Sequence, residues 1–362
     1  MFLYLSMVAI VPILFTVFYK NEHRDKVILV VVCSMMFILL ALRKPFSDIV
    51  AYQEIYNNLN GISFGTILKD FHLIKTSGIT GEEWGFCFIC WVFVSLGLPF
   101  QFFLAVESAF CVFCVYYFVR RNSVNIPLSI ALIVGFGAFD YMYIVIRQSM
   151  AFGFLLLSVE SIKKRNLPVF ILFVLAAMMM HRTAALFLIA YPLSYLPITR
   201  LNVTVFICGS LLILPLYPLL EKHFLRRIMV LFSKDNYILD VPFEFSELIL
   251  MIVLISVFLM LFSDLSKRYE VKNNAIFWTF MISLPIQVLA CYLSIMGRVS
   301  TLMYLPFASV AIPNLLETNE NKKRVQVFEG LIFLAVFAYY AFCLYYDKRI
   351  LEIVPYKLFF IN

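Results

Sequence analysis

Arg147-Gln148, His181-Arg182 and Gly297-Arg298 each stand where one apolar run gives way to the next. A guanidinium at such a junction meets the membrane–water boundary, and its planar, permanently charged fork suits phosphate oxygens. Arg43, Asp48 and Glu83 occupy comparable places earlier in the chain. Arginines, carboxylates and an imidazole collected at the ends of apolar runs are the groups needed to hold an anion and to move a proton.

Plainer roles are open to each of them. An interfacial Arg also snorkels to water or pairs with Asp48 or Glu83. Ser47 can cap a helix on which Asp48, Tyr52 and Tyr56 share one face. That row of a carboxylate and two phenols suits a sugar, and it equally suits a belt of interfacial tyrosines. Glu83, in Glu82-Glu83-Trp84-Gly85, is either a general base or the partner of an Arg. Gln148 can orient Arg147 or meet a sugar hydroxyl, and the nearby Ala151 and Gly153 let helices approach closely. His181 is a proton shuttle or a hydrogen-bonded packing residue. Tyr304 lies one to two turns beyond Arg298.

The elements that position these residues are membrane helices. Apolar residues make up 63% of the 362, charged residues only 14%, and mean hydropathy is +0.93, which excludes a soluble enzyme. Strands alternating apolar and polar residues, as a β-barrel needs, are absent. The net charge of +7 is scattered over many links rather than gathered in one patch, so nucleic acid is not an expected partner. Cys87-x-x-Cys90 and Cys111-x-x-Cys114 sit among aromatics without a neighbouring His and read as helix-packing residues. Met1-Phe2-Leu3 lacks a basic leader and reads as the start of a retained helix.

The spacing predicts an all-α polytopic protein, one transmembrane domain over 1–362 with about twelve spans. These are 2–19, 27–42, 100–119, 126–146, 148–162, 167–180, 183–198, 202–220, 246–263, 274–295, 299–315 and 326–346. Lys163-Lys164-Arg165 and Lys322-Lys323-Arg324 mark the cytoplasmic side. Counting from them puts Arg43, Asp48, Glu83, Arg147, His181, Arg182 and Arg298 together at the external face. External loops fall at about 43–99 and 221–245, the first including Trp84 to Leu98, which reads as re-entrant or interfacial because a full span there would reverse every later helix.

No Asp-x-Asp, Walker loop or dinucleotide fingerprint occurs, and no two of His23, His72, His181 and His223 have metal-ligand spacing. Neither a cofactor nor a metal is expected.

Arg43, Ser47-Asp48, Tyr52-x-x-x-Tyr56, Glu83-Trp84-Gly85, Arg147-Gln148-Ser149-Met150-Ala151 and His181-Arg182-Thr183-Ala184-Ala185-Leu186 follow one another in an order that resembles the EpsG/Wzy-like family of O-antigen and exopolysaccharide polymerases. Gly297-Arg298 is a weaker echo, and Phe46-Ser47-Asp48 departs from the family's usual Gly-Thr-Asp. The resemblance implies a GT-C-like glycosyltransferase of the bacterial inner membrane, polymerising undecaprenyl-pyrophosphate-linked repeat units at the periplasmic face, alongside a flippase and a chain-length regulator. Donor and acceptor are both lipid-linked glycans. On this reading Arg147, Arg298, Arg43 and Arg182 bind pyrophosphate, Glu83, Asp48 or His181 supplies the base, and Tyr52, Tyr56 and Gln148 meet sugar. The competing readings are a lipid-linked oligosaccharide flippase and an O-antigen ligase. A flippase would carry charge along a central cavity.

Overall fold

The computed structural model describes residues 2–69, 83–222, 271–317, 321–346 and 356–360. Among them every extended element is a helix, apart from one isolated bridge between Arg43 and Leu358. The N-terminal part runs α1 (Phe2–Val17), α2 (Arg24–Ala41), α3 (Asp48–Asn58), α4 (Phe64–Lys69), α5 (Trp84–Ser95) and α6 (Phe100–Asn122). The middle runs α7 (Ile126–Gly135), α8 (Ala138–Ile144), α9 (Ile146–Lys163), α10 (Leu167–Met180), a 3-10 helix (Arg182–Ile189), α11 (Ala190–Leu193) and α12 (Arg200–Leu220). The remainder is α13 (Val271–Met281), α14 (Ser283–Ala290), α15 (Ser294–Val299), a π-helical turn (Ser300–Tyr304), α16 (Leu305–Leu316) and α17 (Lys322–Tyr346).

The helix starts are written locally. Asn125-Ile126-Pro127 and Asn166-Leu167-Pro168 begin α7 and α10 in the same way: the Asn side chain accepts from the backbone N–H three residues on, and Pro occupies the first turn, where its missing N–H costs nothing. Thr199 caps α12 by accepting from Asn202 N–H at 3.2 Å. Ser47 occupies the N-cap of α3, but its side chain makes no cap hydrogen bond, contrary to the sequence expectation, and its φ of 48° is left-handed.

The twelve-span scheme maps unevenly onto these helices. The span 167–180 coincides with α10, and those at 2–19, 27–42, 100–119, 148–162, 202–220 and 326–346 each meet one helix with shifted ends. Span 126–146 is bent by 50° between α7 and α8 at Gly137, whose φ of +82° places it where a side chain is disfavoured. Span 183–198 is not a continuous α-helix: it is the 3-10 segment followed by the single turn of α11. Span 274–295 breaks near Ile282, and span 299–315 carries the π turn. Span 246–263 and residues 223–245 of the second external loop lie outside the described residues.

By length and composition, four described helices can cross a membrane alone, Phe100–Asn122, Arg200–Leu220, Met296–Leu316 and Lys322–Tyr345, and the bent α7–α8 pair would make a fifth. Shorter apolar helices, α1, α5 and α10 among them, pack alongside. The described residues are thus all-helical in their extended elements, with the several apolar helices of a multi-pass membrane protein. One apolar cluster reaches from Tyr4 to Leu344. Gly153 sets the α9–α6 distance, since a Cβ there would come within 2.6 Å of the Phe110 ring.

The helices sort the charges by end. Arg147 lies in the first turn of α9 and Lys163 in its last, about 24 Å apart at 1.5 Å per residue. At the Lys163 end, Lys163 donates to Asn122, Asn314 to the Asn122 carbonyl, Asn125 to Glu329 and Arg165 to Ser194. Along α9 the Lys-rich link and the Arg–acid cluster therefore lie at opposite ends.

Candidate functional site

Glu83 organises the site. It precedes α5 with an extended backbone and spends none of its side chain on capping that helix. Its Oε2 accepts from the Arg147 NH1 group at 2.5 Å, and its Oε1 accepts from the Arg182 backbone N–H at 3.1 Å and the Arg182 Nε–H at 3.3 Å. His181 Nδ1 stands 3.3 Å from the same Oε1. Three segments far apart in sequence therefore meet on one carboxylate.

Local structure explains the convergence. Arg147 sits in the first turn of α9, where exposed N–H groups make the helix end positive and a second cation is unfavourable. Glu83 offsets that charge. His181 leaves α10 in an extended conformation (φ −156°, ψ 120°), which ends the helix and starts the 3-10 turn at Arg182. Glu83 then satisfies the first N–H of that turn. Gly85 permits the approach, because a Cβ there would fall 2.8 Å from the Met179 carbonyl and 2.6 Å from the Met179 Cβ. Trp84 and Trp91 fix α5 from outside, their indoles donating to the Ile67 and Ile62 carbonyls.

Burial alone would raise the Glu83 pKa. The contact with His181, the Arg147 charge and the Arg182 N–H outweigh it and hold the carboxyl at about 2. Arg147 and Arg182 bring two positive charges against this single negative one, so the cluster is net positive even with His181 neutral.

A second pair lies alongside. Arg298, in the last turn of α15, donates to Asp48 Oδ2 at 3.2 Å. Asp48 opens α3, and one turn later Tyr52 places its ring 5.3 Å from the Arg147 guanidinium. Helix α3 thus touches both arginines. Arg298 is 43% exposed and Asp48 39%, so this pair is weak and separable. The segment carrying Arg298 is tied to the one carrying Arg182 by Tyr304 stacked on Phe187 and by Thr183 against Met303. The intervening π turn is a distortion that recurs at functional sites.

The other sequence-derived residues fall as follows. Gln148 is buried, with its amide 2.9 Å from His181 Nε2. Tyr56 is buried between Phe100 and Phe103 and donates its hydroxyl to the Leu98 carbonyl at 2.7 Å. Arg43 stands apart from the Glu83 cluster: it is fully buried, pairs with Glu107 at 3.4 Å and lies 5.4 Å from the Tyr143 ring. Its backbone is held by the segment 356–360, through Lys44 N–H to the Lys357 carbonyl and Phe359 N–H to the Leu42 carbonyl.

Two buried acids escaped the sequence reading. Glu107 accepts from Arg43, Ser108 and Cys111, and Asp140 accepts from the Tyr340 hydroxyl at 3.0 Å. The signal was present, since an acid inside an apolar span demands a partner.

The model of the EpsG family matches residues 26–358, which takes in every element of the site, and the chain belongs to that family. It is accordingly a membrane protein of polysaccharide polymerisation. No curated protein and no solved structure matches it.

Proposed function

We propose that the protein is a metal-independent glycosyltransferase that polymerises undecaprenyl-pyrophosphate-linked repeat units of an O-antigen or exopolysaccharide. On this reading it works at the periplasmic face of the bacterial inner membrane, in a GT-C-like scaffold of about twelve spans, beside a flippase and a chain-length regulator. The observation that carries the proposal is the net-positive Arg147–Glu83–Arg182 cluster at the end of the bundle opposite the lysine-rich links. A lipid tail beside the helices would bring its pyrophosphate to that level.

The acceptor hydroxyl attacks the anomeric carbon of the donor glycan. The new C–O bond forms as the bond to the lipid pyrophosphate breaks, the electron pair leaves with the phosphate oxygen, and the hydroxyl proton passes to a base. Negative charge on the leaving group grows in the transition state, where preorganised guanidinium groups lower the barrier. Arg298 and Arg182, the more exposed members, exchange carboxylate for phosphate most readily, while Arg147 is set between Glu83 and Tyr52. Asp48, freed from Arg298, and His181 are positioned to take the proton. Glu83, held at about 2, is fully ionised but weakly basic, and its geometry favours the role of anchor.

Deletion followed by gel analysis of the surface glycan tests this. A polymerase null leaves single capped repeats. Loss of all surface glycan would indicate a flippase, and polymer retained on its lipid would indicate a ligase.

A further inference from the structure

We propose that Gln148 is a positioning residue that holds the His181 ring in both of its protonation states, so that Glu83, His181 and Gln148 line up as one relay. The proposal deepens the polymerase reading, in which His181 can carry the proton.

The three side chains lie in series. His181 Nδ1 is 3.3 Å from Glu83 Oε1, at ion-pair distance but outside hydrogen-bond geometry, and His181 Nε2 is 2.9 Å from the Gln148 Nε2 amide nitrogen. His181 and Gln148 are both buried, 5% and 6% exposed. An ionised carboxylate only accepts hydrogen bonds, so the nitrogen facing Glu83 carries a proton. In the neutral ring the other nitrogen is then an acceptor, and the Gln148 NH2 donates to it. The observed placement has this sense, and it leaves Gln148 Oε1 buried without a hydrogen-bond partner. That orphaned oxygen costs free energy in this state.

Protonation of His181 turns Nε2 into a donor. A half-turn of the Gln148 amide then presents Oε1 to it and satisfies the orphaned atom. An amide is an uncharged side chain long enough to reach the ring and able to offer donor or acceptor from nearly the same position. A carboxylate at 148 would favour only the imidazolium, and an apolar residue would support neither state. The charged groups facing His181 are Glu83 from the start of α5, Arg147 across Glu83 from α9, and the adjacent Arg182. The relay proton is exchanged between His181 and an incoming hydroxyl, while the carboxylate and the amide keep the ring from rotating.

The test reads the ring directly. The full chain, with 15N-labelled histidine in lipid nanodiscs, gives four ring systems, and His181 is identified by its loss in His181→Gln. The expected wild-type state at neutral pH is the Nδ1–H tautomer. Gln148→Glu should move the His181 titration midpoint upward by about one pH unit, since a carboxylate favours the imidazolium. Gln148→Leu should keep the Nδ1–H tautomer that Glu83 sets but move the Nε2 resonance to that of a ring nitrogen without a hydrogen bond, whereas an unmoved Nε2 resonance overturns the proposal. An Nε2–H tautomer in the wild type overturns the proposal, as does a midpoint unmoved by Gln148→Glu. If Gln148→Glu fails to fold, the wild-type tautomer and Gln148→Leu decide. Polymerisation in membrane vesicles is a separate arm: a shifted midpoint with no shift in the acid limb of activity keeps the relay and removes His181 from the chemistry.

Discussion

Arg147 and Glu83, 64 positions apart, form a 2.5 Å contact that joins the first turn of α9 to the start of α5. The carboxylate also gathers Arg182 and faces His181, so its loss reaches beyond one ion pair. Glu83→Gln keeps the size of the side chain and removes the charge, leaving Arg147 and Arg182 facing each other. Polymer should be lost, and thermal stability in detergent should fall by about 3 kcal/mol, the usual order for stranding a buried charge. Wild-type ladders from this variant would remove Glu83 from the site.

The low Glu83 pKa sets an acid limit. Its folded value, about 2, lies below the ordinary carboxylate value, so its stabilisation is complete above about pH 5 and fades as pH falls toward 2. Melting temperature followed from pH 8 to pH 3 should be flat in its Glu83-dependent part down to about pH 5. Glu83→Gln should remove that part, narrowing its gap from the wild type as acid is added. A gap that widens in acid would contradict the sign of the shift.

Arg147→Lys retains the charge but forfeits the planar fork and the packing on Tyr52. The rate of polymerisation should fall by tenfold or more at matched membrane abundance, a loss of about 1.4 kcal/mol or greater, with Arg147→Ala lower still. Full rescue by Lys would mean that charge alone is required.

Arg43 should behave differently, because Glu107 meets its charge deep in the bundle and segment 356–360 covers its backbone. Arg43→Gln or Glu107→Gln should each reduce folded protein in the membrane, by about 3–5 kcal/mol of stability. The double variant should recover part of it. Normal abundance with lost activity in Arg43→Gln would instead place Arg43 at the substrate.

Gly85→Ala puts a methyl group against the Met179 backbone and should displace Glu83 from Arg182. Gly209→Ala, where nothing lies within 4 Å, is the matched control and should be silent. Comparable polymer from both would show that α5 can shift without consequence.

Periodicity and the asparagine–proline start sufficed to locate α10, because helix length and capping are local properties. The residues converging on Glu83 were also visible, as charges stranded between apolar runs. What stayed hidden was set by packing. The 3-10 path after His181 begins at an N–H satisfied by Glu83, a partner 99 positions away, and the bend at Gly137 looks in sequence like ordinary helix. Hydropathy averages over a whole span, so single acids such as Glu107 and Asp140 do not register in it. Segment 356–360 has no periodicity with which to announce its pairing to residues 42–44.

The Asp48–Arg298 pair has a bearing on how the protein is made. The two residues are 250 positions apart, so the ribosome delivers Asp48 long before its partner exists. Helix α3 waits beside α5 through the insertion of every intervening helix, and only when α15 enters does Arg298 reach it. The backbone pairing of residues 42–44 with 357–359 comes later still. A nascent chain stalled before residue 298 could therefore already gather Arg147 and Arg182 around Glu83, yet it would lack Arg298. The arrangement that joins α3 to α15 is therefore completed only after most of the chain has been made.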